Sequence, residues 1–449
     1  MGRVSPNSVA RVWSSSKVLR RKRSWGIAIS LRRGPPPAYT SVRGGCRQAS
    51  AQRGCACLQP VLCYTARALR RGGVIVRTKG EAVAEKPTKT YSYQQIINAW
   101  CMYDWANSAF ATTIMAVVLP TYFSSVAGST LPSKVMATSY WGYANSISMI
   151  LVAVAAPILG ALADHSGKKK LLLSRFAGVG ILATALLFFV STGDWLLAMI
   201  LYIIGHVGFS GSTIFSDALL PHIATRDDVD QVSSKGWALG YIGGGLLLLI
   251  NLAWILKPAW FGIPNTEMAS RLSFLSVAIW WAVFSIPIFR RVPEPPAVLE
   301  QGESQGVLRG TFQRLGNTFR EISKFKELFK FLVAFWLYND GIGTIITMAA
   351  IYGAELGIGQ TTLIGVILMV QFVAAPFSIL FGWLSKRIGN KSTILIGLGI
   401  YTVVAAYGYF VSGTLEFWIL GFVVAMAQGG SQALSRSLYA SMSPKTKSA

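Results

Sequence analysis

From residue 98 onward, apolar runs of roughly twenty residues alternate with short polar segments, and that alternation carries most of the fold. A run of this length in helical form crosses a bilayer, and ten such runs occur, at about 98–122, 139–162, 171–190, 195–215, 237–256, 272–289, 330–351, 361–384, 392–411 and 415–434. The longest internal polar stretch, about 290–329, separates six spans from four. Within it Phe312, Leu315, Phe319, Ile322 and Phe325 recur at three- and four-residue spacing among basic residues, the pattern of a helix lying along a membrane surface or packed on the bundle. An all-α, polytopic membrane protein is expected.

Composition agrees: 52% of residues are hydrophobic, 13% are charged and the mean hydropathy is +0.47. The formal net charge of +24 points to no nucleic-acid partner, because it is unevenly spread. Residues 1–79 hold 17 of the 42 Lys and Arg and none of the 18 acids, which leaves 25 − 18 = +7 for the remainder. That leader suits an organellar transit peptide, a disordered cytosolic tail or an over-extended translation start, and the three readings stay open. Lys and Arg also set the topology. Lys168, Lys169, Lys170, Arg290, Arg291, Lys386, Arg387, Lys391 and Arg436 fall in segments on the side of the N-terminus. The opposite loops carry only Lys134, Lys257 and Arg271. The N-terminus and the central loop are therefore expected in the cytosol. Cys46, Cys55, Cys57 and Cys63 lie in the leader and only Cys101 lies in the body, so neither a metal site nor a disulfide framework is expected. No cofactor is expected either.

Candidate chemistry begins in the first span, which reads Tyr103-Asp104-Trp105-Ala106-Asn107-Ser108-Ala109-Phe110. Asp104 and Asn107 share a helix face, and a carboxylate at helix depth normally faces a cavity or a partner. Span seven carries Tyr338-Asn339-Asp340-Gly341. After span two stands Gly160-Ala161-Leu162-Ala163-Asp164-His165-Ser166-Gly167-Lys168-Lys169-Lys170, and after span eight Gly382-Trp383-Leu384-Ser385-Lys386-Arg387-Ile388-Gly389. In the first copy Gly160 permits close helix approach, Gly167 makes a tight turn and His165 is expected at the surface. Spans four and ten end in comparable stretches, Gly208-Phe209-Ser210-Gly211-Ser212 and Gly429-Gly430-Ser431-Gln432. Two related halves around a central loop suggest a repeat-built secondary transporter. The domain division expected is leader 1–89, first half 90–290, central loop 291–329 and partial second half 330–449. If the halves match span for span, two further spans belong after Ala449.

The Gly160–Lys170 stretch matches the G-x-L-x-D-x-x-G-[RK]-[RK] motif of the major facilitator superfamily. That resemblance implies a conformational latch built from Gly160, Asp164, Gly167, Lys168 and Lys169 on the cytoplasmic side. The first span resembles the first helix of the autophagy-related vacuolar amino-acid effluxers within that superfamily, as do Asp217-Ala218-Leu219-Leu220-Pro221, Gly236-Trp237-Ala238-Leu239-Gly240-Tyr241 and Gln428-Gly429-Gly430-Ser431-Gln432-Ala433-Leu434-Ser435-Arg436. Asp217 stands where the resemblance leads one to expect Asn. The family implies export of amino acids from a degradative vacuole to the cytosol; bacterial relatives share the first helix. Asp104 and Asp340 are then expected to converge on a midplane cavity and to hold a coupling proton or a substrate ammonium, with no Lys or Arg at mid-span to pair them. Asn107, Asn339 and Gln428 would add neutral hydrogen bonds. A membrane-embedded enzyme is the rival class, and the spans lack the convergent His, acid and Ser groups it needs. A transporter of another solute in a plastid or mitochondrial envelope, or a non-transporting scaffold, remains open.

Overall fold

A computed structural model describes residues 91–296, 307–321 and 325–443, all within one compact unit, Glu85–Ala449. The leader with its four cysteines, the linker 297–306 and residues 322–324, including Ile322, lie outside the described residues. Ten long helices occur where the apolar runs predict them. They are α1 (Tyr93–Ala127), α2 (Lys134–Ser166), α3 (Lys169–Phe189), α4 (Trp195–Ile223), α5 (Val229–Leu256), α6 (Thr266–Arg291), α8 (Lys326–Glu355), α9 (Gln360–Ile388), α10 (Asn390–Gly408) and α11 (Thr414–Met442). Among the described residues nine are long and apolar enough to cross a membrane, and α8, which carries Lys326, Glu327, Lys330 and Asp340, is the long helix outside that set. Between the halves α7 (Val307–Glu321) lies against α2, with Thr311 buried and Phe312 exposed.

Local chemistry sets the helix ends. Ser92 and Gln95 form a capping box, Ser133 and Asn265 cap α2 and α6, and Gly167 ends α2 in the left-handed region at φ 60°. The first span is not uniformly α-helical. After Ala109 it passes through π-helical turns at Phe110–Val117 and again at Phe123–Ala127, on either side of a short α segment that contains Pro120. The first turn of α3 is clamped to the end of α6 and the residues just after it, where the Lys170 amide donates to Glu294 at 2.9 Å and Lys170 Nζ donates to the Phe289 carbonyl at 3.0 Å. The junctions α2–α3 and α9–α10, with Lys168–Lys170 and with Lys386, Arg387 and Lys391, share one end of the bundle, called the basic end below.

Helices α1 and α5 approach backbone to backbone along a glycine stripe. A Cβ on Gly240 would lie 2.6 Å from Ser108 Oγ, one on Gly243 2.7 Å from the Trp105 carbonyl, and one on Gly244 3.0 Å from the Ser108 carbonyl. The apolar neighbours of this seam form the core, with Trp100, Tyr103, Phe110, Phe215 and Trp281 fully buried. Helix α5 also packs on α9, where a Cβ on Gly382 would meet Ser234 and one on Gly245 would meet Gln371. The glycines of this span act as packing surfaces that place α1 and α9 on either side of α5.

Replacing helical Gly by Ala ordinarily stabilises by about 1 kcal/mol. At Gly243 the added methyl meets main chain, and the overpacking penalty of about 1–3 kcal/mol exceeds that gain. Thermal unfolding of the purified protein in detergent should therefore show a lower Tm for Gly243→Ala. Gly399→Ala, whose Cβ faces open space, should match or exceed the wild type.

Candidate functional site

Near the basic end, side chains from four helices converge on one guanidinium. Arg436 of α11 places Nη2 2.9 Å from Asp104 Oδ2 and Nη1 3.1 Å from Asp217 Oδ1. Its Nε donates to Ser233 Oγ at 2.9 Å and its Nη2 donates to the Ser233 carbonyl at 2.9 Å. The guanidinium lies 4.7 Å from the Trp100 ring centroid and 5.6 Å from that of Trp237. Asp104 comes from α1, Asp217 from α4 and Ser233 from α5, so one cation of the second half is held by three elements of the first. Gly236 makes room for it, since a Cβ there would run into Asp104 and lie 2.9 Å from Arg436 Nη2. The side chains of Arg436 and Asp104 are 9% and 11% exposed, and that of Asp217 is 37% exposed.

Further contacts between the halves surround the cluster. Ser233 Oγ donates to the Ala433 carbonyl at 2.6 Å, Ser378 Oγ to the Ser234 carbonyl at 3.0 Å, and Asn390 Nδ2 to Asp230 Oδ1 at 2.7 Å. Beside them, in the loop between α4 and α5, burial works against ionisation of Asp228. Hydrogen bonds from Thr225 and from Tyr93, the latter at 2.5 Å, nevertheless hold its carboxyl below the usual range.

The structure corrects the expectation that no cation pairs the intramembrane acids. The apolar pattern puts Arg436 in a cytoplasmic segment after position 434, whereas α11 is continuous to Met442. Asp340 does not join Asp104: its side chain is exposed on α8, and among the described residues its carboxylate takes part in no hydrogen bond or ion pair. Asn107 is buried and donates to Thr213 Oγ1 at 3.3 Å, and Asn339 accepts from Gln432 Nε2 at 2.9 Å. The first pair bridges α1 and α4 and the second α8 and α11, about a turn further into the bundle than Arg436. Gln428 is half-buried on α11, and among the described residues no hydrogen bond ties it to Asp104, Asn107, Asn339 or Asp340.

At the α2–α3 turn Asp164 pairs with Lys169 at 2.7 Å, each side chain 4% exposed, and Lys169 Nζ stands 3.2 Å from His222 Nε2. Gly160 is buried in α2, Lys168 is exposed, and His165, expected at the surface, is buried at 4%. Among the described residues no group of His, Cys, Asp and Glu is arranged to hold a metal ion.

Two helices of the cluster are related by the internal repeat. Ser212, Ser216 and Asp217 on α4 align with Ser431, Ser435 and Arg436 on α11, each pair 219 residues apart (431 − 212 = 435 − 216 = 436 − 217 = 219). Asp217 and Arg436 also stand equally far from their helix ends, 223 − 217 = 442 − 436 = 6 residues.

Ten long helices, nine of them long and apolar enough to cross a membrane among the described residues, with a charged cluster tying α11 to α1, α4 and α5, form an all-α membrane bundle of the major facilitator fold. Solved structures agree on the fold. The xylose transporter XylE from E. coli, in a partially occluded inward-open conformation, aligns with a TM-score of 0.54 at 16% identity, over 78% of this chain and 90% of that one. A bacterial homologue of the iron transporter ferroportin aligns with a TM-score of 0.52 at 14% identity, over 80% and 86%. Residues 92–449 match the family model "Vacuole effluxer Atg22 like", and the chain belongs to that family. The uncharacterized MFS-type transporter YxiO of Bacillus subtilis is 40% identical over 78% of this chain and 81% of its own length. Autophagy-related protein 22 of Pyricularia oryzae is 24% identical over 81% and 70%, and the chain spans 63% of the Coccidioides immitis protein of the same name at 25% identity.

Removing one member of a buried ion pair leaves the other uncompensated, at a cost of about 3–5 kcal/mol. Arg436→Gln should therefore unfold at a clearly lower temperature in detergent than the wild type. Arg436→Gln combined with Asp104→Asn should recover part of that loss, and equal melting of the single and double variants would show that the two groups are not coupled.

Proposed function

We propose that this transporter exports amino acids from a vacuole to the cytosol during autophagic nutrient recycling, by alternating access in which residues 90–290 and 330–449 move as two bodies. The observation that carries the mechanism is the Arg436 cluster, where the only direct charge pairing across the boundary among the described residues binds the second half to the first at the basic end. Such a contact favours the conformation closed on that side and must break for the other. The family description and the autophagy-related relatives support the vacuolar, amino-acid part of the reading.

In this reading Asp104 belongs to the gate. Asn107 with Thr213 and Asn339 with Gln432 form a neutral layer just inside it, and Gln428 and the exposed Asp340 extend the polar path towards the midplane. Neutral amides and hydroxyls suit a zwitterion, whose two charges need hydrogen-bonding partners without a net field. Gly160, Asp164, Gly167, Lys168 and Lys169 hold the α2–α3 turn and bias the same closed state from the side. A coupling proton is the ion this site chemistry serves best. The acid-free leader and the 40% identical bacterial relative favour a second reading, export of another small solute across a plastid or mitochondrial envelope.

Liposomes carrying the purified protein and loaded with a mixture of radiolabelled amino acids test the substrate. Wild-type vesicles should release the label well above protein-free vesicles, and Asp104→Asn should slow release at least tenfold. Retention of every amino acid by wild-type vesicles would remove the amino-acid reading, and a fluorescent fusion resident in a plastid or mitochondrial envelope would remove the vacuolar one.

A further inference from the structure

The cluster holds two carboxylates and one guanidinium. With all three ionised it bears a net charge of −1, tolerable only while Arg436 lies between the acids. Both acids belong to the first half and the cation to the second, so separating the halves at the basic end takes Arg436 from both at once. Asp104 and Asp217 are then left facing each other on α1 and α4. Two carboxylates close enough to share one guanidinium, deprived of it, hold a proton between them, because like charges at that separation repel strongly.

We propose that the Asp104–Asp217 pair is the proton-binding site of this transporter, empty while Arg436 closes the basic end and occupied by one proton when that end opens. This rests on the alternating-access reading above. Asp217 is the member that receives the proton from solution, since its side chain is 37% exposed against 11% for Asp104. A cavity of about 400 Å³ at the basic end, lined by Pro221, His222, Thr225, Arg226, Ala440 and Ser441, comes to within one helical turn of Asp217, at Pro221.

The neighbouring groups do not replace Arg436. On α1 they are Cys101 and Tyr103, which carry no positive charge. On α5 Lys235 donates to Asn98 at 2.6 Å and touches neither acid, and on α4 His222 is engaged with Lys169. Helix α11 supplies Arg436 alone. The proton is transferred as such: it adds to a carboxylate oxygen on opening and returns to water when the guanidinium comes back.

Linkage fixes the sign. The open state binds one proton more than the closed state, so the ratio of open to closed molecules rises as pH falls, by up to about tenfold per pH unit. The test uses no substrate, so its result is independent of which solute is carried. The full-length protein, with Cys46, Cys55, Cys57 and Cys63 replaced by serine, is spin-labelled at Arg226→Cys and Lys391→Cys, exposed positions on the two halves at the basic end. Pulsed electron–electron resonance in lipid nanodiscs then gives the distance distribution between pH 5 and pH 8.

The expected result is a long-distance population that grows as pH falls in the wild type. Asp217→Glu should keep that slope, while Asp217→Asn, which leaves one acid for one guanidinium, should lose it. A wild-type distribution that does not change with pH overturns the proposal. So does an undiminished slope in Asp217→Asn, which would place the proton elsewhere.

Discussion

A guanidinium inside a membrane-spanning helix is the constraint around which this bundle is arranged. Arginine stays charged at any physiological pH, and a charge at membrane depth costs roughly 2.5–3.5 kcal/mol on insertion scales unless partners replace water. Arg436 finds its partners in the other half of the molecule. Asp104, Asp217 and Ser233 neutralise or hydrogen-bond it, and Trp100 and Trp237 flank it. Such a cluster adds little net stability, because its Coulomb gain is offset by desolvation. Its contribution is conditional: the arrangement is satisfied in one relative position of the halves and unsatisfied in the other. A pair of apolar surfaces would slide through intermediate positions at small cost, whereas this contact distinguishes two states.

For the cluster to form, α1, α4, α5 and α11 must meet closely at one end, and the glycines of α5 make that geometry available. Gly236 admits the Asp104–Arg436 pair itself, while Gly240, Gly243 and Gly244 bring α1 into backbone contact above it. The same helix turns Ser233 and Ser234 towards α11 and α9. Helix α5 is thus the rail on which the second half rests. Its small residues serve two purposes, close approach to α1 on one side and a polar, shallow contact with the second half on the other. A shallow contact of hydroxyls and carbonyls can be exchanged for water more readily than interlocked large side chains.

The fold was legible in the sequence because a twenty-residue apolar run has few alternatives in a chain so poor in charge. The site was legible only in part, for a related reason. Apolarity defines a span by its lipid-facing middle, and it cut the spans short where they turn polar. Runs read as 195–215, 237–256 and 415–434 are helices reaching Ile223, starting at Val229 and reaching Met442. Asp217, Ser233 and Arg436 all fall in those trimmed ends, so the cation that answers Asp104 was assigned to a loop. The Gly167 turn was readable because glycine reports positive φ directly. Asp340 shows the opposite failing: a motif similar to that of the first span suggested an equivalent role, but in the structure its side chain is exposed and has no ion-pair partner among the described residues.

The repeat holds a further clue that sequence alone could not resolve. Asp217 and Arg436 occupy equivalent positions of α4 and α11, and they touch. In an assembly of two equivalent halves, a residue contacts its own counterpart only where both lie at the pseudo-two-fold axis. Identical residues there would meet like against like, so an acid would repel and a base would repel. Only divergence of the two copies into opposite charges converts the axis position into an attraction. Asp104 then weights the balance, because it gives the first half a second carboxylate with no basic counterpart bound beside it. The halves that began as copies are therefore chemically unlike at the one place where they must part, and the resulting excess of acid over base makes that parting sensitive to the proton.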